Sequence, residues 1–373
     1  MITNISINNF KCFSNQSFNL KPLTLLTGFN STGKSSVIQT LLLLRQSYLR
    51  GNGKVQKLVL NGQYTSVGTG YDALYQNADS EKISFSIETQ KQFKTTWTWG
   101  YEKELDLLPL KQLSGSEDVY RSHLFSNQFH YLASERIGPK NFFETSQYLV
   151  KHHRQLGSKG EFTAHYLSTY GNEIVQYNNL LHPKAESNIL LHQVNAWLGE
   201  IRPGTRISLV EHTEMDLINL RYDFKGKGEF SNKFRPINVG YGLTNILPIL
   251  TAILSAQPGT ILLLENPEAH IHPKGQTTLG HLLACAAANG IQLIIETHSD
   301  HIINGIRLAT YQNKISPKDT SINFFQPIID DDSFASEVLN PQLDSNGRLD
   351  YWPDGFFDEW DKMLFKLIQP KGE

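Results

Sequence analysis

The sequence predicts an α/β fold built around a phosphate-binding loop. Three observations carry that prediction. An apolar run at residues 23–27 leads into Gly28-Phe29-Asn30-Ser31-Thr32-Gly33-Lys34-Ser35, and a helix-like run opens behind it at 36–48. This is the Walker A pattern G-x-x-x-x-G-K-[ST] in the strand–loop–helix setting it requires. In the second half, two short apolar runs stand at 259–265 and 292–296, the first closing on Glu265, the second running into Thr297-His298-Ser299-Asp300. Short apolar strands with Asp, Glu, Thr or His at their tips belong to the carboxyl edge of a parallel sheet, where ligands of open α/β folds bind. Ahead of them a Gly-rich turn at 238–245 feeds an apolar helix reaching about residue 254.

The elements follow in order. Ile2, Ile5, Ile7 and Phe10 mark a first strand, and a second at 23–26 enters the loop. Residues 57–100 read as strand-rich and turn-punctuated, with 57–60 before Asn61-Gly62 and another strand at 83–88. From about 102 to 200 the pattern turns helical, most clearly at 161–170 and 187–198, where Leu191, Val194, Trp197 and Leu198 recur at helix spacing. No heptad run is sustained, which excludes long coiled-coil arms. Strand character returns at 206–210 and 216–224, before the turn-rich Lys225-Gly226-Lys227-Gly228. The acidic run Asp330-Asp331-Asp332 reads as a loop.

A chain of 373 residues has room for a large core. Its net charge of −2 supplies no global field toward nucleic acid or an anionic membrane, so any DNA contact needs a local patch. The one local excess is Lys151-His152-His153-Arg154 with Arg136, Lys140 and Lys159, either a DNA- or partner-binding patch or a solvated helical face. Cys12 and Cys285 make no disulfide framework and suit a reducing compartment. The start lacks a signal-peptide pattern and no apolar stretch reaches the ~20 residues of a spanning helix, so a soluble, cytoplasmic protein is expected.

The site chemistry follows from residue types. Glycines at 28 and 33 let successive N–H groups point inward, and the helix start adds partial positive charge, so Phe29, Asn30, Ser31, Thr32 and Ser36 belong to a phosphate cradle. Lys34 reaches the β- and γ-phosphates, and the Ser35 hydroxyl suits Mg²⁺. ATP and Mg²⁺ are therefore the expected ligands. Glu265 holds the Walker B position, a carboxylate for Mg²⁺, usually through water. His298 is placed to contact the γ-phosphate or the attacking water. His270, His272, His298 and His301 include zinc-ligand types without the spacing of a closed site.

The ordered set of motifs resembles the ABC-type ATPase heads of the structural-maintenance-of-chromosomes (SMC) and recombination-protein-F class. Within it the chain most resembles bacterial stand-alone ATPases related to the overcoming-lysogenisation-defect nucleases. Asn9-Phe10-Lys11-Cys12-Phe13 is similar to their N-terminal strand–turn signature. Tyr131-Leu132-Ala133-Ser134-Glu135-Arg136-Ile137-Gly138-Pro139 resembles their Y-L-x-A-E-R-x-G-P segment, and 238–244 their signature loop. Residues 265–273 resemble their E-x-P-E-x-H-L-H-P run, 296–300 their switch-histidine motif, and 347–357 a C-terminal module of one branch.

The resemblance implies a two-lobed P-loop head with a short helical insertion. Residues 1–135 would form the Walker A lobe, 136–205 the insertion, 206–330 the lobe with signature loop, Walker B and switch histidine, and 331–373 a C-terminal module packed on the head. It also implies a homodimer or higher oligomer, in which ATP on one P-loop is closed over by Gly240, Gly242 and Thr244 of a second copy. Heads of this class usually carry an acid directly after the Walker B position. Here Asn266 stands there, able to orient water but not to accept its proton, and Glu268 is the substitute base or else a helix cap. Slow hydrolysis follows. The leading functional expectation is a regulatory or sensor ATPase acting with a separate effector such as a nuclease, in antiphage defence. The alternatives are a DNA-maintenance ATPase and a non-hydrolysing nucleotide-gated scaffold.

Overall fold

The computed structural model describes residues 1–226, 228–328 and 336–369. The chain opens with β1 (Ile2–Phe10), β2 (Phe13–Asn19) and β3 (Leu23–Gly28), followed by α1 (Lys34–Arg50), β4 (Lys57–Val59) and the short α2 (Gly70–Ala73). Next come β5 (Lys82–Thr89), β6 (Lys94–Gly100), β7 (Leu107–Gly115) and β8 (Phe129–Leu132). The middle holds β9 (Phe143–Glu144), α3 (Thr163–Tyr170), α4 (Leu190–Ile201), β10 (Thr205–His212) and β11 (Leu217–Phe224). The last part runs α5 (Tyr241–Ser255), β12 (Ile261–Glu265), α6 (Pro273–Ala288), β13 (Gln292–Glu296), α7 (Asp300–Tyr311), β14 (Thr320–Pro327), β15 (Ser336–Leu339) and α8 (Glu359–Ile368).

Three sheets organise these elements. The site depends on the sheet ordered β15-β14-β3-β13-β12-β8, in which all neighbours are parallel except the β14–β15 pair. Its apolar strands alternate between two buried faces, as period-2 side chains must. Leu262, Leu264, Leu293 and Ile295 join one core with α5, α6 and α7. Ile261, Leu263 and Ile294 join the other, with α1 and the antiparallel sheet β2-β1-β5-β6-β7-β4. Helix α1 is therefore sandwiched between sheets, which explains why ten consecutive residues, 38–47, include only one that is not fully buried, Gln39. A third sheet, β10-β11-β9, packs with α3 and α4.

The expected helical character of 102–200 requires correction. Helices at 163–170 and 190–201 overlap the expected stretches 161–170 and 187–198, but β7, β8 and the two-residue β9 lie inside the range. Strand β7 leaves Lys111–Gly115 exposed beyond its short pairing with β4, so no alternation marks it. Strand β8 is four buried residues, too short for any period to register. Of the basic residues expected to form a patch, Arg136 is buried, Arg154 pairs with Glu173 and Lys159 with Glu135, while Lys140, Lys151 and His152 are exposed. Among the described residues no helix is long and apolar enough to cross a membrane. The run Asp330–Asp332 lies outside the described residues.

Candidate functional site

Strand β3 ends at the middle of the parallel sheet, and the phosphate loop turns there into α1. The loop needs its glycines for two separate reasons. Gly28 (φ 123°) sits so close to β14 that an added Cβ would lie 2.1 Å from the Phe325 carbonyl oxygen. Gly33 (φ 101°) precedes the first turn of α1, where a Cβ would meet Cys12 Sγ at 2.4 Å. Both dihedrals are in the region glycine alone enters without strain. Ser31 also takes a left-handed φ of 62°, Thr32 Oγ1 donates to the Phe29 carbonyl at 2.7 Å, and Ser36 N–H donates to Gly33 O. Asn30 and Ser31 face outward, and no acidic residue occupies the first turn of α1, which leaves its positive end open to an anion.

Lys34 is 3% exposed, and its ammonium donates to the carbonyls of Gly28 (3.2 Å) and Phe29. Burial lowers its pKa, opposed by the Glu296 carboxylate. The hollow around the loop is lined by Asn30, Lys34 and Ser35, and also by Lys11, Gln39 and Glu296, which sequence reasoning did not select. Lys11 stands at a left-handed turn after β1 (φ 51°) and donates to Gln39 Oε1 at 2.7 Å.

Three carboxylates gather behind the loop, each with different partners. Glu265, at the tip of β12, accepts from Tyr131 OH (3.1 Å) and from Ser134 N–H (3.2 Å). Glu296, at the tip of β13, accepts from Ser35 Oγ at 3.0 Å. Glu268 accepts from Thr297 Oγ1 and from His298 N–H, both at 2.8 Å. Burial raises the pKa of all three, and Glu296, facing Glu265 and Glu268 as well, is pushed up to about 7. Glu268 thus ties the turn after β12 to the switch segment. It does not cap α6, whose N-cap is His272.

Asn266 adopts a left-handed backbone (φ 43°), its N–H donates to Glu296 O at 2.8 Å, and its side-chain Oδ1 is buried without a partner. His298 is exposed at the sheet edge, and partial desolvation together with Lys34 holds its pKa below the ordinary value. The imidazole is accordingly neutral near pH 7. Arg136 binds this turn from below: its guanidinium donates to the carbonyls of Ala133, Glu265 and Asn266 and to both oxygens of Asn245 on α5.

The signature turn lies elsewhere. Gly240 precedes α5, nothing stands within 4 Å of where its Cβ would be, and it lines a hollow with Arg202, Phe234, Asn238, His270 and His272. Gly242 lines the same hollow, but its glycine has a reason inside the subunit: a Cβ would lie 2.3 Å from His270 O. Thr244 is 2% exposed, with its hydroxyl buried and unpartnered. No residue of this hollow lines the one at the P-loop. Among the described residues no group of three or more His, Cys, Asp or Glu side chains could hold a metal ion.

Comparison with known proteins agrees with this geometry. Residues 23–304 match the family described as "AAA domain, putative AbiEii toxin, Type IV TA system", and 315–367 match a protein of unknown function (DUF3696). No curated protein sequence matches significantly. The fold is similar to the crystal structure of an SMC head bound to the C-winged helix domain of ScpA, with 12% identity, TM-score 0.55, and 92% of this chain and 98% of that chain covered. It is also similar to an SMC head with an extended coiled coil bound to the C-terminal domain of ScpA, derived from Pyrococcus furiosus, with 11% identity, TM-score 0.51 and 99% of both chains covered. The chain belongs to the AAA-domain family that its residues 23–304 match, and its architecture is that of an SMC/ABC-type P-loop ATPase head.

Proposed function

We propose that this ATPase head is a dimeric, slowly hydrolysing switch, in which bound Mg-ATP joins two copies and the joined state acts on a separate effector. The observation that carries the dimer is the separation of the two hollows. The P-loop hollow holds the groups that bind phosphate, and the Gly240 turn, with the open N-terminus of α5, faces a different hollow of the same chain. A helix N-terminus of that kind fits a γ-phosphate brought by a second copy, and two copies related by a two-fold axis satisfy both sites at once.

The donor set fits Mg²⁺: a serine hydroxyl and buried carboxylates, all hard oxygens, one of them orphaned at Glu296 Oε2. Ser35 and a strand-tip carboxylate would hold the ion, which would supply charge neutralisation at the β- and γ-phosphates when bound. The chain's own groups do the rest. Lys34 binds phosphate, neutral His298 orients toward it, and Asn266 positions water. Glu268 has both oxygens engaged, which supports slow turnover and a role for ATP as ligand more than fuel.

The effector, a nuclease or similar partner, and a setting in antiphage defence complete the proposal. The matched family's description names a toxin of a toxin–antitoxin system, a setting of paired proteins. Direct DNA binding finds less support, since Arg136 is buried and Arg154 and Lys159 are paired with carboxylates, leaving Lys140, Lys151 and His152 of the expected patch exposed and outside these pairs.

Light scattering with and without Mg-ATP tests the dimer. The parent should pass from monomer to dimer with ATP. Lys34→Ala should stay monomeric, its ATP affinity reduced about tenfold to a hundredfold by loss of a charged phosphate contact. A parent that binds Mg-ATP and remains monomeric at all concentrations overturns the proposal.

A further inference from the structure

The sheet order sets apart the two carboxylates at its edge. Strand β3, which delivers the P-loop, is hydrogen-bonded to β13 and not to β12. Glu265 and Glu296 are register partners on the adjacent strands β12 and β13, so they stand side by side, with Glu296 on the strand nearer the loop. Their oxygens are used differently. Each oxygen of Glu265 already has a hydrogen-bond donor, Tyr131 OH on one and Ser134 N–H on the other. Glu296 receives the hydroxyl of Ser35 on Oε1, while Oε2 is buried with no hydrogen-bond partner.

A buried, unpartnered carboxylate oxygen is costly and calls for an explanation. Lys34 does not supply one, because its ammonium is committed to the Gly28 and Phe29 carbonyls. Thr297 and His298, next along the chain, donate to Glu268 instead. Of the three carboxylates, Glu296 is the one that lines the P-loop hollow, together with Ser35.

We propose that Glu296, ahead of Glu265, is the protein carboxylate that joins Ser35 Oγ in holding the Mg²⁺ of bound Mg-ATP. The inference rests on the Mg-ATP reading above. Two protein oxygens leave the rest of an octahedral shell to phosphate oxygens and water, which is how Mg²⁺ is ordinarily bound beside a nucleotide, and no third protein ligand is required. Glu265 then acts one layer back. As acceptor for Tyr131 and Ser134 it fixes the end of β8 beside β12 and braces the turn at Asn266, the supporting role that outer carboxylates play around metal sites.

The test is the effect of Mg²⁺ on ATP affinity, measured by titration calorimetry in EDTA and in excess Mg²⁺ for the parent, Glu296→Gln and Glu265→Gln. Glu296→Gln should bind metal-free ATP at least as tightly as the parent, because a carboxylate beside the phosphates is gone, and this doubles as its check on folding. Its gain from Mg²⁺ should fall by about tenfold or more, and by more than the loss in Glu265→Gln, whose carboxylate acts on the site only from one layer back. Mn²⁺ titrated in place of Mg²⁺ and followed by electron paramagnetic resonance should show the same ranking of cation affinity. A full Mg²⁺ gain in Glu296→Gln, a larger loss in Glu265→Gln, or failure of Glu296→Gln to bind metal-free ATP overturns the assignment. A parent that binds ATP under neither condition overturns the nucleotide site itself, a separate and recognisable result.

Discussion

At the scale of single residues, the turn after β12 explains its own unusual composition. Asn266 occupies a left-handed backbone that asparagine tolerates better than most residues, while a glutamate there would carry a strain of about 1 kcal/mol. The amide in the usual place of the catalytic acid thus has a backbone reason as well as a chemical one. In this arrangement Glu268 accepts from Thr297 and His298, and the cap of α6 is His272 instead. Replacing it by glutamine removes one of two acceptors. The account therefore expects Glu268→Gln to lower stability by about 1–2 kcal/mol in denaturant titration. Single-turnover hydrolysis should fall less than the ~10²–10⁴-fold that loss of a general base produces. A hundredfold loss of hydrolysis with unchanged stability would restore Glu268 as the base. The Walker A residues were legible in the sequence because their chemistry is local and contiguous. Glu296 was visible only as part of the switch-histidine motif, since nothing linear says which strand lies beside β3. The hint available was that 292–296 closes on an acid, as 259–265 does.

At the scale of elements, the start of α5 and the residue before it hold two glycines whose similar appearance in sequence conceals different duties. Gly240 is open to solvent, and Gly242 lets the helix start press against the His270 carbonyl. Gly242→Ala should therefore destabilise the free subunit by about 1–3 kcal/mol through overpacking, seen as a lowered melting midpoint without nucleotide. Gly240→Trp should leave both the fold and ATP binding intact yet abolish the ATP-dependent dimer in light scattering. The reverse pattern would remove Gly240 from the interface. The long helices α1 and α5 and the short, fully buried β13 were legible because burial on both sides writes a dense apolar pattern. Strands β7 and β8 were hidden in a range read as helical, one for its exposed polar edge and the other for its brevity.

At the scale of the whole molecule, two cores meet across the parallel sheet, and the C-terminal stretch ties into one of them beside the nucleotide site. Phe356 is fully buried against Phe324 of β14, and Gly355 lies so close to Phe29 of the P-loop that a Cβ would sit 2.6 Å from its ring. Phe356→Ala should cost about 3–5 kcal/mol and loosen the P-loop with it, so chemical denaturation and ATP affinity should decline together. Unchanged ATP affinity in a destabilised variant would show that the C-terminal stretch supports the core without supporting the loop. Arg136 gives the head a second long-range tie, holding β8, the Asn266 turn and α5 through main-chain oxygens, so the signature helix and the nucleotide edge are mechanically joined. The central claim, that one copy's signature turn completes the other copy's ATP site, is tested most directly by mixing two defective variants. Lys34→Ala lacks a working P-loop, and Gly240→Trp lacks a working signature turn. Each alone should remain monomeric with Mg-ATP. A mixed pair contains one site built from the intact P-loop of the second and the intact turn of the first, so light scattering of the mixture should recover ATP-dependent dimers. A mixture that stays monomeric while the parent dimerises would contradict the account.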